Sequence, residues 1–383
     1  MRWLALCYLR RKAHYFGVFF TAMVFLYVIH LIRVTLYYTG KLSVKYGQHR
    51  LGIWDWKKNE NRYVPQITST RKTVKHATTK TPTKSTVSCA EQFLATFQRE
   101  KKFVYTIYTG GMGNLMFEYA SAYGIAIRLN RTLVVERTSK FNSYFHLDAI
   151  SIDKCVVKVS QVKRVLAKRF CSFDERLFRL LPGENFVVGL YLQSWKYFEN
   201  VVPQLKKQFT FKTPISNRAE RILRKASANF FKTQPSVGGT AKNITFVGIH
   251  VRRGDIVKLN YFKYYGYKAA PKHYIDKAMM YFTEKFINVL FVVCSDNLRW
   301  VQANIKHPNV AFVHSRSPEV DMSVLVQCNH TIITVGTFGW WAGFLSGGIT
   351  LYYKYPARED SQLRKMFSEN YSDYFYPGWI GME

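Results

Sequence analysis

Two adjacent arginines and an aspartate, Arg252, Arg253 and Asp255, stand directly behind an apolar run from Ile244 to Val251 that ends in His250 and Val251. The run is rich in β-branched residues, too short for a helix and stopped by Gly254, so it reads as a buried strand. A guanidinium is a planar fork of donors that matches phosphate oxygens. Two of them at a strand end suit a nucleotide or nucleotide-sugar at the carboxyl edge of a parallel sheet. The same residues would also make a solvated ion-pair cluster, and spacing alone does not choose between the two.

Three further segments could carry chemistry. Gly110-Gly111-Met-Gly113-Asn114 lies between an expected strand and an expected helix. Glycines there let the backbone approach a ligand, and a helix N-terminus favours an anion. They would equally make a tight strand-to-helix turn. Cys294-Ser295-Asp296 closes another strand, where Ser and Asp serve as helix caps or reach a base or ribose. Gly336-Thr337-Phe338-Gly339-Trp340-Trp341 offers backbone donors and a hydroxyl, while its paired tryptophans also suit a core. The sequence contains no D-x-D triplet, Walker A loop, G-x-S-x-G elbow or H-E-x-x-H, which argues against the chemistries those motifs support.

The elements that must position these residues alternate. Strands are expected at Phe103 to Tyr108, Thr132 to Glu136, Phe186 to Tyr191, Ile244 to Val251, Asn288 to Cys294, Ala311 to Val313 and Thr331 to Val335. Helices are expected at Leu115 to Leu129, Ala219 to Phe231, Lys272 to Phe286, Leu298 to Ile305, Val320 to Cys328 and Phe338 to Leu345. Lys232 to Lys242 has no periodicity and marks a boundary. The expected class is α/β, with two doubly wound domains, 89–235 and 236–383, facing a cleft.

The remainder of the 383 residues concerns compartment. Tyr15 to Ile32 is apolar except for Thr21 and His30, and eighteen helical residues span roughly 27 Å, close to a bilayer core. A cleavable signal peptide is the rival, but Leu36-Tyr37-Tyr38 is bulky where cleavage wants small residues. The reading is a tail at 1–14, a signal anchor at 15–38 and a stem at 39–88, with the body in the lumen. Gln66 to Ser88 holds eleven Ser/Thr, five Lys/Arg and no acid, so it cannot bury enough apolar surface to fold alone. Part of the formal net charge of +32 therefore belongs to a tether. No zinc-finger, basic-zipper or RNA-binding signature accompanies it, so nucleic acid is not the expected partner. Sequons at Asn130, Asn243, Asn329 and Asn370 fit a lumenal body. Asn243 is the favoured site, whereas Asn329 leads into an apolar strand and is expected to be too buried. Of six cysteines, Cys7 falls before the span. Cys89, Cys155, Cys171, Cys294 and Cys328 follow it, an odd number that leaves at least one outside an intrachain pair. Cys294 and Cys328 have the apolar context of buried thiols.

Taken in order, five blocks resemble glycosyltransferase family 11, the α-1,2-fucosyltransferases. They are Gly110-Gly-Met-Gly-Asn114 with Phe117, Tyr119 and Ala120; Gly189-Leu-Tyr-Leu-Gln193-Ser194 with Tyr197 and Phe198; His250-Val-Arg252-Arg253-Gly-Asp255; Phe291-Val-Val-Cys-Ser295-Asp296 with Trp300; and Gly336-Thr337-Phe338-Gly339-Trp340-Trp341-Ala342. The resemblance covers Phe103 to Met382. It departs at Leu115, where the family has Gln, and at Ile256, where an aromatic often follows the aspartate. It implies a GT-B-like fold of two Rossmann-like domains, GDP-β-L-fucose as donor, a galactose-containing glycan as acceptor, inversion at the anomeric carbon and no metal or other cofactor. A Golgi membrane protein, single-pass with its body in the lumen, follows from the anchor. By the resemblance, Arg253, Asp255 and His250 are the catalytic candidates, with the base unassigned. Arg252, Arg253, His250, Gly111, Gly113, Asn114, Ser295, Asp296, Thr337, Phe338 and Gly339 fall to the donor, and Gln193, Ser194 and Trp340 to the acceptor side. Arg253→Lys is expected to cost at least about tenfold in activity. A fucosyltransferase of another linkage and a glycan-binding homologue without turnover remain as alternatives.

Overall fold

The computed structural model describes residues 102–159, 162–233 and 243–383, together with Ser88, Cys89 and Glu91. The expected tail, membrane anchor and nearly all of the stem lie outside these residues. Among the described residues no helix is long and apolar enough to cross a membrane.

The first half carries a five-stranded sheet made of β1 (Phe103–Thr106), β2 (Thr132–Glu136), β3 (Ile150–Ile152), β4 (Lys163–Leu166) and β5 (Phe186–Gly189). Its order is β3-β2-β1-β5-β4 and every pairing is parallel. Helix α1 (Met112–Arg128) follows β1. It is buried along nearly its whole length, which explains an apolar composition on all sides. α2 (Lys154–Val159), α3 (Val202–Gln208) and α4 (Thr213–Thr233) complete this half. α4 is amphipathic: it buries Ala219, Leu223, Ala226 and Phe230, positions that fall on one helical face.

The second half carries a six-stranded parallel sheet: β6 (Thr245–Val251), β7 (Val289–Ser295), β8 (Val310–Phe312), β9 (His330–Ile333), β10 (Thr350–Tyr353) and β11 (Ile380–Met382). The order is β11-β10-β9-β6-β7-β8. Counted from β6, this is the Rossmann sequence 3-2-1-4-5-6, and it reverses direction between β6 and β9. The helices are α5 (Gly254–Lys258), α6 (Asn260–Tyr265), α7 (Lys272–Lys285), α8 (Leu298–Asn304), α9 (Pro318–Val326) and α10 (Thr337–Ser346). A parallel α/β architecture in two halves is therefore present.

The halves share one core. Phe117 of α1 packs on Trp340 and Trp341 of α10, with ring centroids 4.6 and 5.1 Å apart, and Phe198 stacks on Trp341 at 5.6 Å. The halves also exchange segments. α4 packs against α9. The C-terminal stretch returns to the first half, where the Phe173 N–H donates to Asp373 at 2.9 Å, the Trp195 indole donates to the Ser372 carbonyl, and Lys196 pairs with Asp373 at 2.7 Å.

Cys89 and Cys155 form a disulfide, while Cys171, Cys294 and Cys328 are free and buried. All four sequon asparagines are exposed. For Asn329 this corrects the expectation of burial. The residue sits in the turn before β9, and only its side-chain oxygen turns inward, accepting from the Phe246 N–H at 2.9 Å.

Candidate active site

The strand order reverses between β6 and β9, the point at which parallel sheets of this kind leave a crevice at their carboxyl ends, and Arg252 directly follows β6 there. Its backbone N–H donates to Thr334 Oγ1 at 3.0 Å. Its guanidinium holds the Asp255 carboxylate with two bonds, Nη2 to Oδ2 at 2.7 Å and Nε to Oδ1 at 3.2 Å. The remaining terminal nitrogen is turned towards Gly336. A methyl group added there would come within 2.6 Å of Nη1, and Gly336 has a φ of +92°, so only glycine suits this turn. Helix α10 starts one residue later, with its positive N-terminal end beside the arginine.

Arg253 points elsewhere. Its guanidinium carbon lies 4.1 Å from the centre of the Trp300 ring, and Nη1 donates to the Ala270 carbonyl at 3.3 Å. The two arginines, alike in sequence, are thus separated by the fold, and it is Arg252 that stands beside α10. Asp296 accounts for part of the difference. Its carboxylate accepts the backbone N–H groups of Arg253 and Gly254 at 2.8 and 2.9 Å, which fixes the chain as it leaves β6. Ser295 donates its hydroxyl to the Val251 carbonyl at 2.7 Å. Both side chains are spent on backbone, and the cap of α8 is Asn297 instead.

Electrostatics set the two candidate bases. Burial pushes the Asp255 carboxyl up, but the hydrogen bond and charge of Arg252 outweigh it and hold the group below the ordinary carboxylate range. His250 is buried, and burial together with the Arg252 charge lowers its pKa to about 3. It is therefore a neutral imidazole, lying against Phe338 with ring centroids 4.9 Å apart and beside Gly339. Its Nδ1 is buried with no hydrogen-bond partner among the described residues. Neither group is tuned as a strong base.

The glycine-rich loop of the first half meets this crevice. Asn114 Oδ1 accepts from Thr337 Oγ1 at 2.7 Å and from Gln193 Nε2 at 3.2 Å, joining three of the sequence blocks at one atom. A methyl on Gly113 would fall 2.6 Å from the backbone of Thr337 and Phe338. Gly113 is thus required by the approach of α10, where the sequence suggested the approach of a ligand. Gly111 caps α1 and remains open. Ser194 and Trp340 are fully buried, and the Trp340 indole donates to the Tyr374 carbonyl. Gln193 is nearly so, and also accepts from the Cys171 thiol. None of these three presents a surface to an acceptor. Among the described residues no group of three or more His, Cys, Asp or Glu side chains is gathered to hold a metal ion.

Two features went unread in the sequence. Glu118 of α1 is wholly buried, and its two oxygens accept the Thr109 and Tyr191 N–H groups at 2.7 and 3.2 Å, tying the loops after β1 and β5 together. Burial raises its pKa to about 8 against the lowering effect of those bonds. The aromatic run at Tyr261, Phe262, Tyr264, Tyr265 and Tyr267 follows the arginine segment directly, and its density was the available signal. Arg252 lies 5.9 and 5.7 Å from the ring centres of Phe262 and Tyr267.

Residues 70–383 match the family described as Glycosyl transferase family 11. Galactoside alpha-(1,2)-fucosyltransferase 2 of Rattus norvegicus is 33% identical over 280 residues, covering 71% of this chain and 75% of that protein. The protein of the same name from Sus scrofa is 31% identical over 281 residues, 72% of this chain and 78% of its own. Among solved structures, NodZ alpha-1,6-fucosyltransferase co-crystallized with GDP aligns at a TM-score of 0.40 and 17% identity, covering 63% of this chain and 91% of that one. That last likeness is too loose to add to what the two sheets already say. The sequence matches span most of the body and all the segments just described, and the chain belongs to glycosyl transferase family 11.

Proposed function

We propose that this protein transfers L-fucose from GDP-β-L-fucose to the 2-hydroxyl of a terminal galactose on a glycan, with inversion. The observation that carries the reading is the placement of Arg252 beside the N-terminus of α10, in the crevice where the strand order reverses. A diphosphate there would meet a fixed guanidinium and the open donors of a helix start. As the galactose oxygen bonds to the anomeric carbon, the bond from that carbon to the β-phosphate oxygen breaks. Its electron pair leaves with GDP, and the hydroxyl proton passes to a base. Preorganised positive charge at the leaving group is often the largest single catalytic contribution. With Asp255 engaged by Arg252 and His250 held neutral, the weight of catalysis falls on that leaving-group side.

The relatives named above act on galactosides, as their names state, which supports the acceptor and the linkage. The apolar segment at 15–38 supports a single-pass Golgi membrane protein with its body in the lumen. GDP release from GDP-fucose, followed with β-galactoside acceptors and with and without EDTA, tests the reading. Acceptor-dependent release that survives EDTA is the expected result. No release with any acceptor would leave a glycan-binding protein without turnover.

A further inference from the structure

The acceptor side is the part of the site that the buried Gln193, Ser194 and Trp340 leave unfilled. The loop after β5 places Tyr191 near the carboxyl edge of the first sheet, with its main chain held by Glu118 and its ring against Phe170 at 5.5 Å. Helix α6 supplies the other side. Tyr261 and Tyr265 stack with ring centroids 5.8 Å apart and planes within 15°, and Tyr265 continues to Tyr267 at 6.1 Å, the ring that flanks Arg252. Two residues beyond Tyr191, Gln193 bonds Asn114, which in turn bonds Thr337 next to Gly336 and Arg252, so the loop that carries Tyr191 reaches the same end of the second half.

Tyr261 is 60% exposed and Tyr264 is 78% exposed, although their helix lies only one short helix beyond the arginine in the chain. Aromatic surface left in water is costly unless something covers it. Ring by ring, the aromatic wall leads from Tyr261 through Tyr265 and Tyr267 to Arg252. A β-galactoside has the matching chemistry. One face of the galactose ring carries only C–H bonds, suited to a flat aromatic ring, and its edge carries hydroxyls that phenol groups can hydrogen-bond. We infer that Tyr191 and the Tyr261–Tyr265 stack form the acceptor subsite, seating the apolar face of galactose beside Arg252. The inference rests on the transferase reading and adds where its acceptor sits.

The test is steady-state kinetics of the lumenal body with methyl β-D-galactoside and GDP-fucose, comparing wild type with Tyr261→Ala, Tyr261→Phe and Tyr191→Ala. Losing one stacked ring should raise the acceptor KM by about three- to tenfold. The KM for GDP-fucose and its slow hydrolysis without acceptor should stay at the wild-type level, and Tyr261→Phe should restore most of the acceptor KM. An unmoved acceptor KM overturns the inference. So does a parallel loss of donor hydrolysis, or a Tyr261-dependent self-association that leaves acceptor kinetics untouched. Absence of turnover by the wild type instead removes the transferase reading itself. Because Tyr261 is exposed, its variants should fold; NMR titration of methyl β-D-galactoside in the presence of GDP checks any variant that expresses poorly, and equal affinity there would also overturn the inference.

Discussion

Replacing Arg252 with lysine keeps a positive charge in the crevice and removes the planar fork. In the structure the guanidinium uses two of its nitrogens on Asp255, at 2.7 and 3.2 Å, and directs the third towards Gly336 and the start of α10. An ammonium can hold the carboxylate or serve a diphosphate, but it cannot span both. At least one charge-assisted hydrogen bond is lost, worth about 1.5–3 kcal/mol. If that bond forms fully only as charge builds on departing GDP, kcat/KM for GDP-fucose should fall by about ten- to 150-fold. Arg253→Lys is the control. Arg253 rests on Trp300 at 4.1 Å, a cation–aromatic contact that lysine partly retains, so its loss should stay within about two- to fivefold, below the roughly tenfold expected from the motif alone. GDP-release kinetics on both variants, with thermal unfolding to exclude misfolding, make the comparison. Arg252→Lys near wild type, or Arg253→Lys the worse of the two, would refute the assignment of the leaving-group role to Arg252.

Three more outcomes are expected. Glu118 has a folded pKa of about 8, above the ordinary carboxylate value, so the folded state binds a proton that the unfolded state has already released. Stability should therefore decline as pH rises from about 4.5 to about 8, and Glu118→Gln should flatten that decline in thermal unfolding. Gly113→Ala forces a methyl against the Thr337 and Phe338 backbone; overpacking of this kind costs about 1–3 kcal/mol and should lower both the melting temperature and GDP affinity. Cys171, Cys294 and Cys328 are buried, with burial raising each thiol. A thiol reagent should leave them unlabelled in the native body and label all three after denaturation without reduction.

Much of this architecture was legible because it follows from short-range pattern. The β2 strand, Thr132–Glu136, falls where its short apolar run was read as a strand, and the second half alternates as expected from β6 to α10. The strands that escaped are short or atypical. β3 has three residues, β4 is the half-exposed edge Lys-Arg-Val-Leu, and β10 follows a pair of glycines. The site divides in the same way. The arginine segment was visible as a strand end. Part of what separates Arg252 from Arg253 is the Asp296 carboxylate, 43 positions away from the backbone it holds, and the Asn114–Thr337 bond spans 223 positions. No local pattern encodes contacts of that separation. Trp340 and Ser194 went to the core for a related reason: they lie in motif blocks, but the motif's own packing consumes them.

The proposed reaction is transfer of fucose to the galactose 2-hydroxyl beside Arg252, at the switch between β6 and β9. Its most direct measurement is the linkage of the product, determined by NMR after incubating the lumenal body with GDP-fucose and methyl β-D-galactoside. A single α-fucosyl residue on galactose O2 is expected, made by the wild type and sharply reduced in Arg252→Lys. Fucose on another hydroxyl, a retained β configuration, or no product at all would contradict it.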